Sequence, residues 1–345
     1  MLKNIFGKSI GQILPNRNVI INGDMSIWQR GESASNITSA GLVAVDRFHI
    51  INYLSSASVT VEKIDAGLAD FPNAVRYRVV SVSSASDINL IANIEQRIEG
   101  INCQRLGFGQ PNKKITLSFW CRSSLAGTIT GLVWAKQNDR AYQFPVTINS
   151  ADTWERKVVT MPADSVPLAN DNLDALRVTL NIGGGTGRRN TPPYGPNVWG
   201  DFYYSDSAAY LNTMFITETA GATFDLTGVQ LEAGDVATPF EHLSYQENLN
   251  RCLRYYATGI YRGTAVTYNT IVSPPYISFS QEMRGTPSMT YPLGFFSSSS
   301  DPISGLQTSV SGHHTISNKG FANYIFSSST GYGWIGYNWV AGAEL

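Results

Sequence analysis

The chain is 345 residues long and electrically balanced, with 25 Lys and Arg against 26 Asp and Glu and a formal net charge of -1. That balance supplies no basic field for a phosphate backbone and argues against nucleic-acid binding. Charged residues make up only 15% of the chain, below the roughly 25% of an average soluble protein, and Ser, Thr, Asn, Gly and Tyr fill the difference, a mix suited to β-sheet surfaces and loop-rich sandwiches.

Residues 1 to 17 stand apart. Leu2, Phe6, Ile10 and Ile13 recur at nearly helical spacing, while Gly7 and Gly11 weaken a helix standing alone. The stripe reads either as a segment that docks on another protein or as a frayed terminus. Lys3 and Lys8 interrupt any continuous apolar stretch there, so no signal peptide is expected. No apolar run is long enough for a membrane span.

From Asn18 onward the hydrophobic period is two. In KITLSFWC (114 to 121) Ile115, Leu117, Phe119 and Cys121 point one way, and Lys114, Thr116, Ser118 and Trp120 the other. LRVTLNI (176 to 182) repeats the pattern, and Val75, Tyr77 and Val79 alternate with Arg76 and Arg78. Further strand-like runs lie near 59 to 64, 88 to 98, 128 to 135, 154 to 161 and 213 to 217. Many short strands without interleaved helical periods predict an all-β antiparallel sandwich rather than a parallel α/β sheet.

Phe224 and Leu226 share a strand face, and Val229 and Leu231 can continue it only if Thr227-Gly228 shifts the register, which predicts a β-bulge at Gly228. The loop EAGDVATPFEH follows. Ser244 and Glu247 then form a capping-box pattern, and Leu249, Cys252, Leu253 and Tyr256 make one apolar stripe on a short helix that ends before Gly259. Strand-like runs return at 264 to 272, 275 to 281, 321 to 327 and 334 to 340, around a polar, turn-rich tract at 295 to 314. The expected organisation is an N-terminal docking segment (1-17), a sandwich domain (18-243), a connector helix (244-258) and a smaller C-terminal β domain (259-345).

Motifs for chemistry are sparse. Cys103, Cys121 and Cys252 have no CxxC spacing and offer neither a disulfide framework nor a zinc site; Cys121, at the end of a strand pattern, and Cys252, on a helix stripe, read as small apolar residues. IGGGTGRRN (182 to 190) is glycine-rich, but TPPYGPN follows where a phosphate loop needs a helix. Its tip gathers Arg188, Arg189, Tyr194, Trp199, Tyr203 and Tyr204, a set suited to a sugar or a protein partner, or else a loop folded back on its own aromatics. His49, His242, His313 and His314 lack metal spacing, His313-His314 reads as solvated, and there is no GxSxG elbow. Glu95 with Glu99 and Asp171 with Asp174 read as solvated faces. Trp120 projects from the polar face of its strand and Trp134 lies in a neighbouring run; each can stack on a sugar or be roofed by a loop. Tyr332, Trp334, Tyr337 and Trp339 crowd the last strand.

Several of these stretches carry a resemblance. VIINGDMSIWQRGES (19 to 33), VDRF (45 to 48), QRIEG (96 to 100), ITLSFWCRSS (115 to 124) and above all GVQLEAGDVATPFEHLSYQENLNRCLRYY (228 to 256) resemble a recurrent family of bacteriophage tail-fibre and virion structural proteins. The first domain of that family is similar to carbohydrate-binding-module jelly rolls. MRGTP (283 to 287) and AGAEL (341 to 345) resemble the small C-terminal β domain that often follows. The resemblance implies a virion component, commonly trimeric, that adheres to a host surface glycan; the sparse motifs make it non-enzymatic, and the lack of a signal peptide has it made in the host cytoplasm.

On that reading Arg188, Arg189, Tyr194, Trp199, Tyr203, Trp334 and Trp339 are candidates for glycan contact. Leu249, Leu253 and Tyr256 are candidates for the contact between three copies, and Leu2, Phe6, Ile10 and Ile13 for docking on other virion proteins. No cofactor is expected beyond a structural calcium, which related jelly rolls often hold and for which the chain offers Asp24 and Asp225, far fewer ligands than six to eight oxygens. The alternative is a decoration or connector protein of the capsid or tail. A glycan depolymerase or esterase lacks a motif.

Overall fold

The computed structural model of the protein describes residues 16-53, 58-82, 90-190, 194-202, 209-268, 271-272, 274-291, 296-297, 312-326 and 331-345. The chain divides into two compact units. The first contains Ser33–Val43, Phe48–Leu243 and the described residues up to Met25; the second contains Ser26–Glu32, Ala44–Arg47 and Ser244–Leu345. The four expected docking residues, Leu2, Phe6, Ile10 and Ile13, lie outside the described residues.

The first unit is an antiparallel jelly-roll sandwich. Its strands are β1 (Ser33–Ile37), β2 (Phe48–Tyr53), β3 (Ser58–Leu68), β4 (Phe71–Ser81), β5 (Ile91–Glu99), β6 (Lys114–Ser123), β7 (Gly127–Ala135), β8 (Arg140–Ile148), β9 (Glu155–Pro162), β10 (Asp174–Gly184), β11 (Trp199–Asp201) and β12 (Thr223–Ala233). One six-stranded sheet has the order β1-β3-β4-β12-β6-β9 and the other β11-β8-β7-β10-β5-β2. From β4 to β7 successive strands alternate between the sheets, so each connection crosses the core. Ile115, Leu117, Phe119 and Cys121 are buried as their alternation requires, and so are Leu176, Val178, Leu180 and Ile182. A strand expected at 213 to 217 is absent: a 3-10 turn, Ile216–Glu218, stands there, with Thr217 packed against Gly183.

The bulge in β12 is the most consequential local feature. Thr227 pairs with Trp120 and Gln230 with Ser118, so Gly228 and Val229 together face the one residue between, Phe119. Gly228 has φ +62, the left-handed region open to glycine. Before the bulge β12 pairs with β4, through Phe224–Tyr77 and Leu226–Val75. Past it, the segment 18 to 23 takes over. Val229 N–H donates to the Gly23 carbonyl at 2.9 Å and Val19 N–H to the Leu231 carbonyl at 3.0 Å. Asn18 completes the exchange, its Oδ1 accepting from Leu231 N–H at 3.0 Å and its Nδ2 donating to the Val229 carbonyl at 3.1 Å. The N–H and carbonyl groups of Val229 and Leu231 are thereby satisfied, as burial demands.

The register shift also turns Gln230 and Glu232 to the outer face. There they hold the loop that follows: Thr238 N–H and Oγ1 donate to Glu232 at 2.9 and 2.7 Å, and Glu241 N–H donates to Gln230 Oε1 at 2.9 Å. Arg17 donates to Thr238 Oγ1 and to the Pro239 carbonyl, adding a second clamp on the same loop.

The second unit is smaller. A helix, α1 (Tyr245–Leu253), starts at Ser244, whose Oγ accepts from Glu247 N–H at 3.2 Å. The reciprocal half of the capping box is replaced by a pair between Glu247 and Arg251 at 3.3 Å. The helix is shorter than expected. Tyr256 already belongs to the strand β13 (Tyr256–Tyr268), which runs beside β20 (Gly331–Gly342) from Tyr256 opposite Gly342 to Thr267 opposite Gly331. Between them lie β14 (Ile271–Val272), β15 (Ile277–Ser278), β16 (Ser288–Thr290), β17 (Phe296–Ser297), β18 (Gly312–Ser317) and β19 (Gly320–Phe326), all antiparallel. The core is Phe279, Met283, Phe321, Tyr337 and Trp339, with Leu253 packed against it from the helix. The polar tract thus ends in strand structure, and His313, expected to be solvated, is half-buried with its Nε2 2.8 Å from the Tyr291 hydroxyl. Burial lowers its pKa.

Segments far apart in sequence meet in this unit. Arg30 bridges Asp46 at 3.0 Å and Glu344 at 2.7 Å, and Arg47, fully buried, also pairs with Glu344. The Arg30 guanidinium lies 3.6 Å from the centroid of the Tyr256 ring and that of Arg47 3.4 Å from Tyr255. Gln29 N–H and Nε2 donate to the two oxygens of Asp46, and Arg284 donates to the carbonyls of Ala343 and Glu344. Burial pushes the Asp46 carboxyl up to about 6, against the opposing pull of Arg30 and the Gln29 hydrogen bonds.

Two outcomes test this architecture. Gly228→Val puts a branched side chain where a Cβ would lie 2.8 Å from the Phe71 ring and 3.1 Å from that of Trp120; we expect a loss of about 2 kcal/mol or more in denaturant titration. For Asp46, a folded pKa near 6 above the ordinary 3.8 means the protonated form is favoured by folding. Its contribution is fully present below the unfolded value and is lost as pH rises through the folded one. The melting temperature of the second unit should therefore fall between about pH 4 and pH 7, and Asp46→Asn should flatten that slope.

Candidate functional site

An aromatic cleft opens on the outer face of the β12-containing sheet. Trp120 of β6 and Arg156 of β9 are cross-strand partners, and Trp120 faces Thr227 of β12 on its other side, so the three form one row across the sheet. Ser118 lies in the next row. The cleft, about 520 Å³, is lined by Ser118, Trp120 and Arg156 with Asp70, Phe71, Gly228 and, from the clamped loop, Ala237, Pro239, Phe240 and His242.

Each part has a local cause. Gly228, lacking a Cβ, lets the Phe71 and Trp120 rings approach the bulge and form the floor. Phe71, Phe240 and His242 make a three-ring cluster, with centroids 5.0 Å apart for Phe71–Phe240, 5.5 Å for Phe71–His242 and 4.9 Å for Phe240–His242. The loop carrying Phe240 and His242 is placed by Gln230 and Glu232. Arg156, exposed, has its Nη2 3.4 Å from the Thr238 carbonyl, and Asp70 is exposed. The cleft combines apolar ring faces with a carboxylate and a guanidinium at its margins and the buried Ser118 hydroxyl in its lining. That combination suits a ligand with C–H faces and edge hydroxyls.

The expected contact residues lie elsewhere. Trp199 is half-buried on β11, its Nε1 donating to the Pro162 carbonyl at 2.7 Å and its ring against Phe108 and Tyr142. Tyr194 packs on Gly200 and donates to Gln143 at 3.2 Å, and burial pushes its hydroxyl pKa up. Arg189 lies over the Phe215 ring at 3.6 Å, pairs with Glu218 at 2.7 Å and donates to the Gly184 carbonyl. Arg188 is half-buried in the 3-10 turn Thr186–Arg188. The described side chains Arg189, Tyr194 and Trp199 are thus engaged by residues outside this loop, Phe215 and Glu218, Gln143, and Phe108, Tyr142 and Pro162. Tyr203 lies outside the described residues. Trp334 stands on β20 opposite Thr264.

Trp339 is a correction. It is 9% exposed, in ring contact with Phe279 and Phe321, and presents no face to a ligand. The oligomer candidates need correction too: Leu253 packs on its own unit's core, Leu249 is half-buried, and Tyr256 lies on a strand beneath Arg30, so they do not form one uncovered helical stripe.

The calcium pair does not fit the donor set. Both oxygens of Asp225 are taken by guanidinium groups, Arg76 at 2.8 and 2.9 Å and Arg122 at 2.8 Å, which balance its charge without a metal ion. Among the described residues no group of three or more His, Cys, Asp and Glu could hold a metal ion. The acid pairs have other roles as well. Glu95 is buried with Arg97, Arg177 and Thr179, and Asp171 accepts from Gln137. All three cysteines are buried and outside any disulfide, and burial pushes the Cys103 thiol well above its usual range and that of Cys121 up to about 12, which disfavours the thiolate at neutral pH.

Comparison with known proteins adds little beyond fold. No protein-family model matches the chain, and no curated protein matches it. Solved structures similar to parts of it include the enzymatically active domain of a bacteriophage CBA120 tailspike protein, 13% identical with a TM-score of 0.33 over 63% of this chain and 22% of that one. A putative sugar-binding protein from Bacteroides thetaiotaomicron is 16% identical, TM-score 0.34, over 63% of this chain and 100% of that one. A family 11 carbohydrate-binding module from Clostridium thermocellum is 10% identical, TM-score 0.29, over 58% and 95%. Likeness at this level carries no conclusion about ligand or activity.

The two outward tryptophans should separate in experiment. Trp134 is buried, with Phe202 edge-on at 5.3 Å and Arg177 over its ring at 4.7 Å, and Trp134→Ala should cost about 3 to 5 kcal/mol in unfolding titrations. Trp120→Ala, from a half-buried site, should cost about 1 to 2 kcal/mol and leave the fold intact.

Proposed function

We propose that the protein is a non-enzymatic bacteriophage virion component, of the tail or fibre, that adheres to a host surface glycan through the Trp120 cleft. The open aromatic cleft on the outer sheet face carries the adhesive part of this reading. Its half-buried indole and its neighbouring rings offer flat apolar faces, and the exposed Asp70 and Arg156 offer polar partners at the edge. The virion part rests on the resemblance of residues 19 to 33, 45 to 48 and 228 to 256, stretches that build the bulge, the clamped loop and the Arg30–Asp46–Glu344 network. A single cleft of this kind binds weakly; three copies on one particle would gain about two to four orders of magnitude in avidity. Among the described residues no helix is long and apolar enough to cross a membrane.

Two measurements check the proposal. Antibody against residues 259 to 345 should label the distal tail of assembled particles in electron micrographs. Label over the capsid would replace adhesion by decoration, and absence of label would overturn the virion assignment. Binding of purified chain to host envelope polysaccharide should fall at least about tenfold in Trp120→Ala and persist in Trp199→Ala.

A further inference from the structure

A second cleft lies at the other end of the β6–β12 pair. It spans about 690 Å³ between the loop leading into β6 and the turn after β12. Arg105, Lys113 and Lys114 line it together with the carboxamides of Gln110 and Asn112, and Asp235 is the one carboxylate among its described lining residues. In a chain with a net charge of -1, the run QRLGFGQPNKK (104 to 114) contains no acid at all.

Asp235 does not cancel these cations. Its closest approach to Lys114 is 3.8 Å with the two side chains 65% and 54% exposed, a separation and exposure at which an ion pair is worth little. Arg105 donates to the Asn16 carbonyl, which leaves further N–H donors on its fork. The stem of Lys113 lies beside Gly107, where a Cβ would come within 2.7 Å of it, so the aliphatic part of this lining residue is supported. The cleft thus gathers three cations and two amide donors around one opening.

Lys114 and Trp120 sit on the same face of β6, by parity and by their shared sheet. Six residues of strand separate them by about 20 Å at 3.3 Å per residue, the span of a short oligosaccharide. We infer that this second cleft receives an oxyanion, a carboxylate or a phosphate or sulfate ester, carried on the same glycan that stacks at Trp120: the receptor is an acidic polysaccharide. The inference rests on the glycan reading above and adds its charge class.

The test uses the full chain, wild type, Lys113→Gln/Lys114→Gln and Trp120→Ala. Each is measured against acidic host envelope polysaccharide, the same material after carboxyl reduction, the same material after removal of ester phosphate and sulfate, and inorganic phosphate alone. The expected result is roughly tenfold weaker binding of the double lysine variant to the acidic polysaccharide, a similar loss on chemical neutralisation, and binding that weakens as salt rises. Loss on carboxyl reduction identifies a uronate-type group; loss on ester removal identifies phosphate or sulfate. Saturable binding of phosphate by the wild type and not by the double variant supports the cleft directly. Equal binding of native and neutralised polysaccharide by wild type and double variant overturns the inference while leaving the Trp120 reading intact. Binding lost in the double variant but unchanged in Trp120→Ala overturns the Trp120 reading and keeps the cationic cleft. Failure to bind any of the probes overturns both.

Discussion

The bulge at Gly228 is the constraint from which the first unit's surface follows. One left-handed glycine lets two residues of β12 face one of β6, and this shift changes the partner of β12 from β4 to the segment 18 to 23. It also puts Gln230 and Glu232 on the outer face, where their side chains hold the loop at 237 to 241. The absence of a Cβ at the same glycine makes room for Phe71 and Trp120 at the cleft floor. A single backbone irregularity therefore sets pairing, loop position and cleft shape together. Bulges are used in this way where a sheet must re-aim side chains.

The second unit depends on a different device. Its hydrophobic core is small, and it is supplemented by a buried network in which two arginines, two carboxylates and two tyrosine rings satisfy one another. Removing one member of such a network leaves its partner buried and unmatched, which costs more than the intact interaction is worth. The residues come from 29 to 30, 46 to 47, 255 to 256, 284 and 344, so this unit cannot be completed by a contiguous C-terminal segment alone. That explains the composition of WQRG, VDRF, LRYY, MRGTP and AEL: each contributes one piece of the network or of the backbone that cradles it.

Much of the frame was legible in the residues. Alternation in KITLSFWC and LRVTLNI located two core strands with their buried faces, and the mismatch of faces around Thr227-Gly228 located the bulge. Ser244 marked the helix start. The helix end was misplaced because Tyr256 continues an apolar spacing by coincidence, while its backbone is already paired with Gly342. The candidate site was only half legible. Trp120 was recognisable as outward-facing, yet its companions Asp70, Phe71, Phe240 and His242 come from a strand start and a loop whose approach is set by long-range hydrogen bonds. The aromatic loop at 188 to 199 drew attention by composition, but Arg189 is taken up by Phe215 and Glu218 and the Trp199 ring by Phe108 and Tyr142, distant partners that composition does not encode.

By itself the sequence determined the things that depend on local periodicity and backbone chemistry: antiparallel strands, their inward faces, the bulge glycine and the helix cap. Each follows from neighbours a few residues away. The tertiary structure alone decided which outward tryptophan is roofed and which stays open. It also decided which carboxylates meet guanidinium groups, and that residues 26 to 32 and 44 to 47 belong with the C-terminal unit. Those outcomes depend on contacts across scores of intervening residues, where burial and pairing are properties of the assembled surface and no short stretch of sequence carries them.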